Sequence, residues 1–148
     1  MLCGDLLILS QDHEGPSFIV ALDRKSGEEK WRVERDEATA WVTPLVVEQD
    51  DRRQIIVSAT KRIRSYDSTD GSLLWEVGGM TGNVIPCPVT DGSRVFCMSG
   101  FRGKALLAIK LAVADGDLAG KPDAIAWRSA QNTPYVPSPV LSGGLLYY

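Results

Sequence analysis

The chain has 148 residues, 44% hydrophobic and 24% charged, enough to bury the core of one domain and too apolar for a disordered chain. Its formal net charge of -3 excludes a general nucleic-acid or anionic-membrane binder, which needs a surplus of Lys and Arg against phosphate. Apolar runs such as 6–9 and 105–109 fall far short of the ~20 residues that cross a bilayer, and Met1-Leu2-Cys3-Gly4 lacks the basic leader of a signal peptide.

Glycine and proline stand as punctuation between short apolar runs, the pattern of a many-stranded protein. In chain order the predicted strands are 6–9, 18–22 and 30–34, then 42–47, 54–59, 63–66 and 73–77. They continue with 85–89, 94–99, 105–110 and 124–129, and end with 136–141 and 145–148. No segment has a sustained helical period, and only the insertion over 112–120 has room for a helical turn.

Repetition organises these strands. Ala21-Leu22-Asp23 leads through Gly27 to Trp31, and Ser65-Tyr66-Asp67 leads through Gly71 to Trp75, a period of 44 residues. A degenerate third copy has Ala108-Ile109-Lys110 and closes on Trp127 after an insertion rich in Ala, Asp and Gly. Thr43-Pro44, Cys87-Pro88 and Ser138-Pro139 repeat in the same register. The units are a partial blade over 1–36, full blades over 37–80 and 81–131, and the start of another over 132–148. Each full unit reads as strands A, B, C and D. Asp23 and Asp67 follow strand C, where a short carboxylate accepts backbone N–H bonds and tightens the turn. Gly27 and Gly71 supply the positive φ that re-enters strand D. Trp31 and Trp75 then offer large rings to a neighbouring blade.

The pattern Ala-x-Asp-x-x-x-Gly-x-x-x-Trp at 21–31, echoed at 65–75, resembles the repeat of the quinoprotein alcohol-dehydrogenase-like, or PQQ-like, β-propellers. The resemblance covers nearly the whole chain and implies an all-β fold, a partial propeller of about three four-stranded antiparallel blades. It implies a bacterial, extracytoplasmic protein. The family includes quinone-dependent dehydrogenases and an outer-membrane assembly lipoprotein, so the motif specifies fold and not function. Its enzymes share a disulfide between neighbouring cysteines, a tryptophan floor under the quinone, a carboxylate- and amide-held calcium and an aspartate base. Here Cys3, Cys87 and Cys97 are separated and no Glu, Asn and Asp cluster takes those roles, so no catalytic, cofactor or metal residue is assigned and no cofactor is expected.

The remaining candidates are few. His13, the only histidine, stands in a polar stretch and reads as a solvated loop residue. Cys87 and Cys97 flank the Thr90-Asp91-Gly92-Ser93 turn and are expected to face each other across strands A and B, as two reduced buried thiols or, outside the cytoplasm, as a disulfide. The acidic stretch Glu48 to Asp51 with Arg52 and Arg53 reads as a solvated A–B hairpin. Lys61, Arg62 and Arg64, then Arg102 and Lys104, fall on B–C hairpins and read either as ordinary charged hairpin tips or as a cationic face that steers an anionic partner.

These readings point to a non-enzymatic scaffold or binding module, with a fragment of a quinoprotein-type oxidoreductase as the alternative. Partners are a protein or further blades of the same propeller, with no nucleic acid and no membrane span. Gly4 to Leu9 and Gly144 to Tyr148 both read as strand B, so the sequence predicts a chain cut mid-blade that either pairs edge to edge, for example as a six-blade ring from two copies, or is marginally stable in isolation.

Overall fold

The computed structural model describes residues 1–49 and 51–148. The first blade is an antiparallel sheet in the order β1 (Leu2–Cys3), β2 (Leu6–Gln11), β3 (Ser17–Asp23) and β4 (Glu29–Arg35). The second contains β5 (Leu45–Gln49), β6 (Arg52–Ser58), β7 (Arg62–Asp67) and β8 (Leu73–Gly78). The third contains β9 (Val89–Thr90), β10 (Arg94–Ser99), β11 (Ala105–Lys110) and, after an insertion that holds β12 (Gly116–Asp117), β13 (Ile125–Ser129). A hairpin of β14 (Val140–Ser142) and β15 (Leu145–Tyr147) begins a fourth unit. The chain is therefore an all-β partial propeller. B–C hairpins and D–A connections share one end of the sheets, here the upper face. A–B and C–D turns share the lower face.

Strands B and C are nearly continuous apolar runs because both faces of a middle blade are covered. On β6, Ile55 and Val57 face blade 1 with Ile8, Ile19 and Tyr66, whereas Ile56 joins Trp75, Val95, Leu107 and Ile109 toward blade 3. On β10 the alternation repeats, with Phe96 and Met98 turned to Leu141 and Leu146 of the fourth unit. Pro44, Pro88 and Pro139 each immediately precede strand A, where no ladder N–H is needed.

The motif turns are near-copies. Asp23 Oδ1 accepts from the Lys25 and Ser26 amides at 2.9 Å each, and Asp67 Oδ1 from the Thr69 amide at 2.8 Å. Gly27 and Gly71 sit at φ 74° and 75°, a left-handed conformation that favours glycine. Each C–D pair then shifts register by one residue at the same place. Trp31, Trp75 and Trp127 lie opposite Ala21, Ser65 and Ala108, and a bulge follows. The small residue of each motif triplet is thus the cross-strand partner of the indole.

Two expectations are corrected and a third is extended. The first blade has four strands and is not a partial one, because Leu2–Cys3 pairs with β2; two residues are too short to carry a periodic signal. The insertion, expected to have room for a helical turn, forms three 3-10 turns and also adds β12, which pairs in parallel with β8 as a fifth strand on the outer edge of blade 2. Cys87 does not face Cys97. The A strand of blade 3 is only two residues long, so Cys87 falls before it and packs with Ala40, Val42, Ala59 and Val84, while Cys97 lies opposite Leu107 in the core between blades 2 and 3. All three cysteines are free, and Cys87 is only half-buried.

Candidate functional site

The tryptophans show how blades are joined. Trp31 donates its indole N–H to the Ser68 carbonyl of blade 2 at 3.1 Å, and its ring lies so close to Gly71 that an added Cβ would come within 2.6 Å of it. Gly71 is therefore required twice, for its backbone angle and as the floor of an indole seat. Trp75 is 1% exposed and packs against blade 3, yet its N–H turns back to Gln54 of its own blade at 3.0 Å. The physical reason is local. Blade 3 lacks the Asp-x-x-x-Gly turn and places insertion residues Leu111, Leu118 and Ala124 against this core instead. Trp127, at the same position in blade 3, is 39% exposed beside Phe96.

On the upper face the connection after blade 1 is locked by buried charge. Arg35 pairs with Asp12 through two bonds of 2.8 and 3.0 Å and donates to the Tyr66 hydroxyl of blade 2. Glu37 accepts from the Lys61 and Arg62 amides at 2.8 and 3.2 Å and from Arg64 at 2.6 Å. Burial pushes the Glu37 carboxyl above its ordinary range, against the hydrogen bonds and the two guanidinium charges around it. Burial also opposes the charge on Arg64, but its bond to Glu76 and the fields of Glu37 and Asp36 outweigh it and keep the guanidinium protonated. Asp12, Arg35, Glu37 and Tyr66 form this network without any motif to announce them, since their partners lie 23 to 31 residues away along the chain.

The network corrects the expected cationic face. Arg64 is not on a hairpin tip but buried in β7 among Asp36, Glu37 and Glu76. Arg62 contacts Glu76 at 3.1 Å and Asp117 at 3.5 Å, and Lys61 lies 3.8 Å from Asp36. The blade 2 share of that charge is neutralised. Arg102 and Lys104 of blade 3 are exposed and, among the described residues, have no carboxylate within 4.0 Å. Arg102 lies over Phe101 at 5.1 Å, and Phe101 stacks on Tyr135 with ring centres 4.8 Å apart.

The same face holds apolar side chains out to solvent. Trp41 is 58% exposed, although its backbone N–H is bonded to the Val84 carbonyl at 2.8 Å and the adjacent Ala40 N–H to Asp12 at 3.2 Å. Val136, at the corresponding place in the next but one connection, is 56% exposed. Beneath them runs a series that the sequence did not reveal. The Thr43 amide donates to Cys87 Sγ at 3.3 Å and the Cys87 amide to Ser138 Oγ at 3.0 Å, so each residue before the repeated proline reaches its counterpart in the next unit.

Other candidates stay local. His13 Nδ1 accepts from the Gly15 amide at 3.1 Å within its own loop, and no group of three His, Cys, Asp or Glu side chains is placed to hold a metal among the described residues. In the A–B hairpin of blade 2 Arg53 pairs with Glu48, while Asp50 lies outside the described residues. No helix among the described residues is long and apolar enough to cross a membrane.

No curated protein sequence matches the chain significantly. Among solved structures, the crystal structure of BamB from Moraxella catarrhalis aligns with 97% of this chain at a TM-score of 0.59 and 17% sequence identity, a likeness of fold. The chain spans 43% of the length of that structure. The family model described as outer membrane protein assembly factor BamB matches residues 16–148, which is nearly the whole chain. With its PQQ-like repeats seen as blades and its sequence matched over that length, the chain belongs to this BamB-like propeller family.

Proposed function

We propose that these residues act as a non-enzymatic, protein-binding part of a larger BamB-like propeller, outside the cytoplasm, and that the upper face is the binding surface. The observation that carries this reading is Trp41: a large aromatic ring exposed on a connection whose backbone is fixed by bonds to Asp12, Val84 and Cys87. An ordered aromatic anchor loses little freedom on association, and such residues dominate interface energetics. The larger ring is supported by the chain's coverage of the Moraxella structure and by the exposed Trp127, whose counterparts in blades 1 and 2 are packed against the next blade.

A photo-crosslinking amino acid at position 41 in the producing cell tests this reading. A discrete crosslinked protein is the expected result, with none from position 25 in the lower-face turn. Equal labelling from both positions, or none from either, would overturn it. The oxidoreductase reading has its own test. Pyrroloquinoline quinone with calcium should leave the melting temperature unchanged, and a saturable increase would favour an enzyme.

A further inference from the structure

Charge on the upper face is divided unevenly between blades. Its carboxylates, Asp12, Asp36, Glu37 and Glu76, belong to blades 1 and 2 and meet Arg35, Arg64, Arg62 and Lys61 there. Apart from Asp117 of the insertion, which lies 3.5 Å from Arg62 of blade 2, the upper corner of blade 3 has no such complement. The sequence contains no Asp or Glu over 92–114 or 124–148, so the B–C loop of blade 3 and the end of β13 carry cations alone, and the connection after β13 carries no charge. Arg102, Lys104 and Arg128 are all exposed, and none has a carboxylate within 4.0 Å among the described residues.

The surface between these cations is shaped and apolar. Lys104 and Arg128 line a cleft of about 320 Å³ with Gly79, Ala105 and Leu107. Leu107, itself buried in the core between blades 2 and 3, lies 3.7 Å from where a Cβ on Gly79 would stand, so the absence of a side chain at Gly79 keeps the cleft open down to the edge of that core. Arg102 and the Phe101–Tyr135 stack stand on the adjoining loop. This corner is held in place. Thr133 donates to the Ser99 carbonyl at 2.7 Å, Lys104 donates to the Thr133 carbonyl at 2.6 Å, and Thr81 bonds Ser99 Oγ through its amide and hydroxyl at 2.8 and 2.9 Å. Gly100 lies against the Pro134 backbone so closely that a Cβ would come within 2.3 Å of the carbonyl oxygen.

We propose that the upper corner of blade 3 docks an acidic segment of a partner protein, its carboxylates meeting Arg102, Lys104 and Arg128 and an apolar side chain entering the cleft over Leu107. The proposal rests on the protein-binding reading above and gives its partner a chemistry. Uncompensated cations on a rigid apolar floor favour carboxylates carried by a chain that also offers apolar groups. Three cations are few for a nucleic acid, whose binders neutralise about 6–10 phosphates.

The test uses the whole chain and a fluorescein-labelled peptide of alternating Asp and Leu, followed by anisotropy. Binding should saturate and weaken as salt rises from about 50 to 300 mM. The Arg102→Glu, Arg128→Glu double variant, with unchanged circular dichroism, should bind at least about tenfold more weakly, and Lys61→Glu should bind as the parent does. Equal binding by the double variant would overturn the proposal, as would equally effective competition by heparin or anionic lipid vesicles at matched charge. A persistent crosslink from position 41 alongside either of those outcomes would leave the protein-binding reading standing and remove only the acidic segment.

Discussion

The two seams between complete blades use the same repeat differently. Between blades 1 and 2 the joint is specific and polar: Trp31 sits on the Gly71 turn, Arg35 with Asp12 reaches Tyr66, and Glu37 is cradled by Lys61, Arg62 and Arg64. Between blades 2 and 3 the seat of the tryptophan is apolar. Trp75 bonds only within its own blade, and Leu111, Leu118 and Ala124 from the insertion pack where a motif turn would stand. The insertion also lays β12 along β8 and covers an edge that would otherwise be open. A propeller repeat therefore tolerates loss of its turn motif when apolar burial replaces the interlock.

Breaking the apolar seam should have the largest effect. Trp75→Ala removes a fully buried ring from the largest core cluster and should destabilise the chain by about 4–5 kcal/mol in denaturant unfolding. A change near zero would mean that the seam does not depend on it. Arg35→Met strikes the polar seam by leaving Asp12 buried without its cation, and should lower stability by about 3–4 kcal/mol. Recovery in Arg35→Met, Asp12→Leu would identify the loss as an unpaired charge and not a packing defect. The smallest effect is chemical and separates the two environments by their thiols. Burial pushes the Cys97 thiol up to about 12, so it stays protonated and inert to iodoacetamide near neutral pH, becoming reactive only on unfolding. Half-buried Cys87 should be alkylated first in the native protein, as peptide mass spectrometry would show. Equal labelling of both thiols would contradict the described core.

Much of this fold was legible because its markers are local. Asp23, Gly27 and Trp31 fall within one turn and one strand, and their recurrence at Asp67, Gly71 and Trp75 set the blade register before any contact was known. What stayed hidden depends on how blades face one another. Arg64 reads as one more hairpin charge in a basic cluster, and only the approach of the 36–37 connection buries it among carboxylates. The division of cationic charge between blades 2 and 3 was invisible for the same reason. Residues 116–117 carry no strand signal, since they pair with β8 only because the insertion folds back across the seam. The single bulged residue immediately before Trp31 and Trp75 on strand D could be inferred only from register.

The central claim is that Trp31 seated on Gly71 joins the first two blades, and a double-mutant cycle tests it directly. Gly71→Ala should destabilise by more than Gly27→Ala, because both force a left-handed residue at about 1–2 kcal/mol while only Gly71 also meets an indole. In a Trp31→Ala background that excess should disappear, leaving the two alanine substitutions with equal effects. An excess that persists without the indole would contradict the account, since the sensitivity of Gly71 would then belong to its turn and not to the seam.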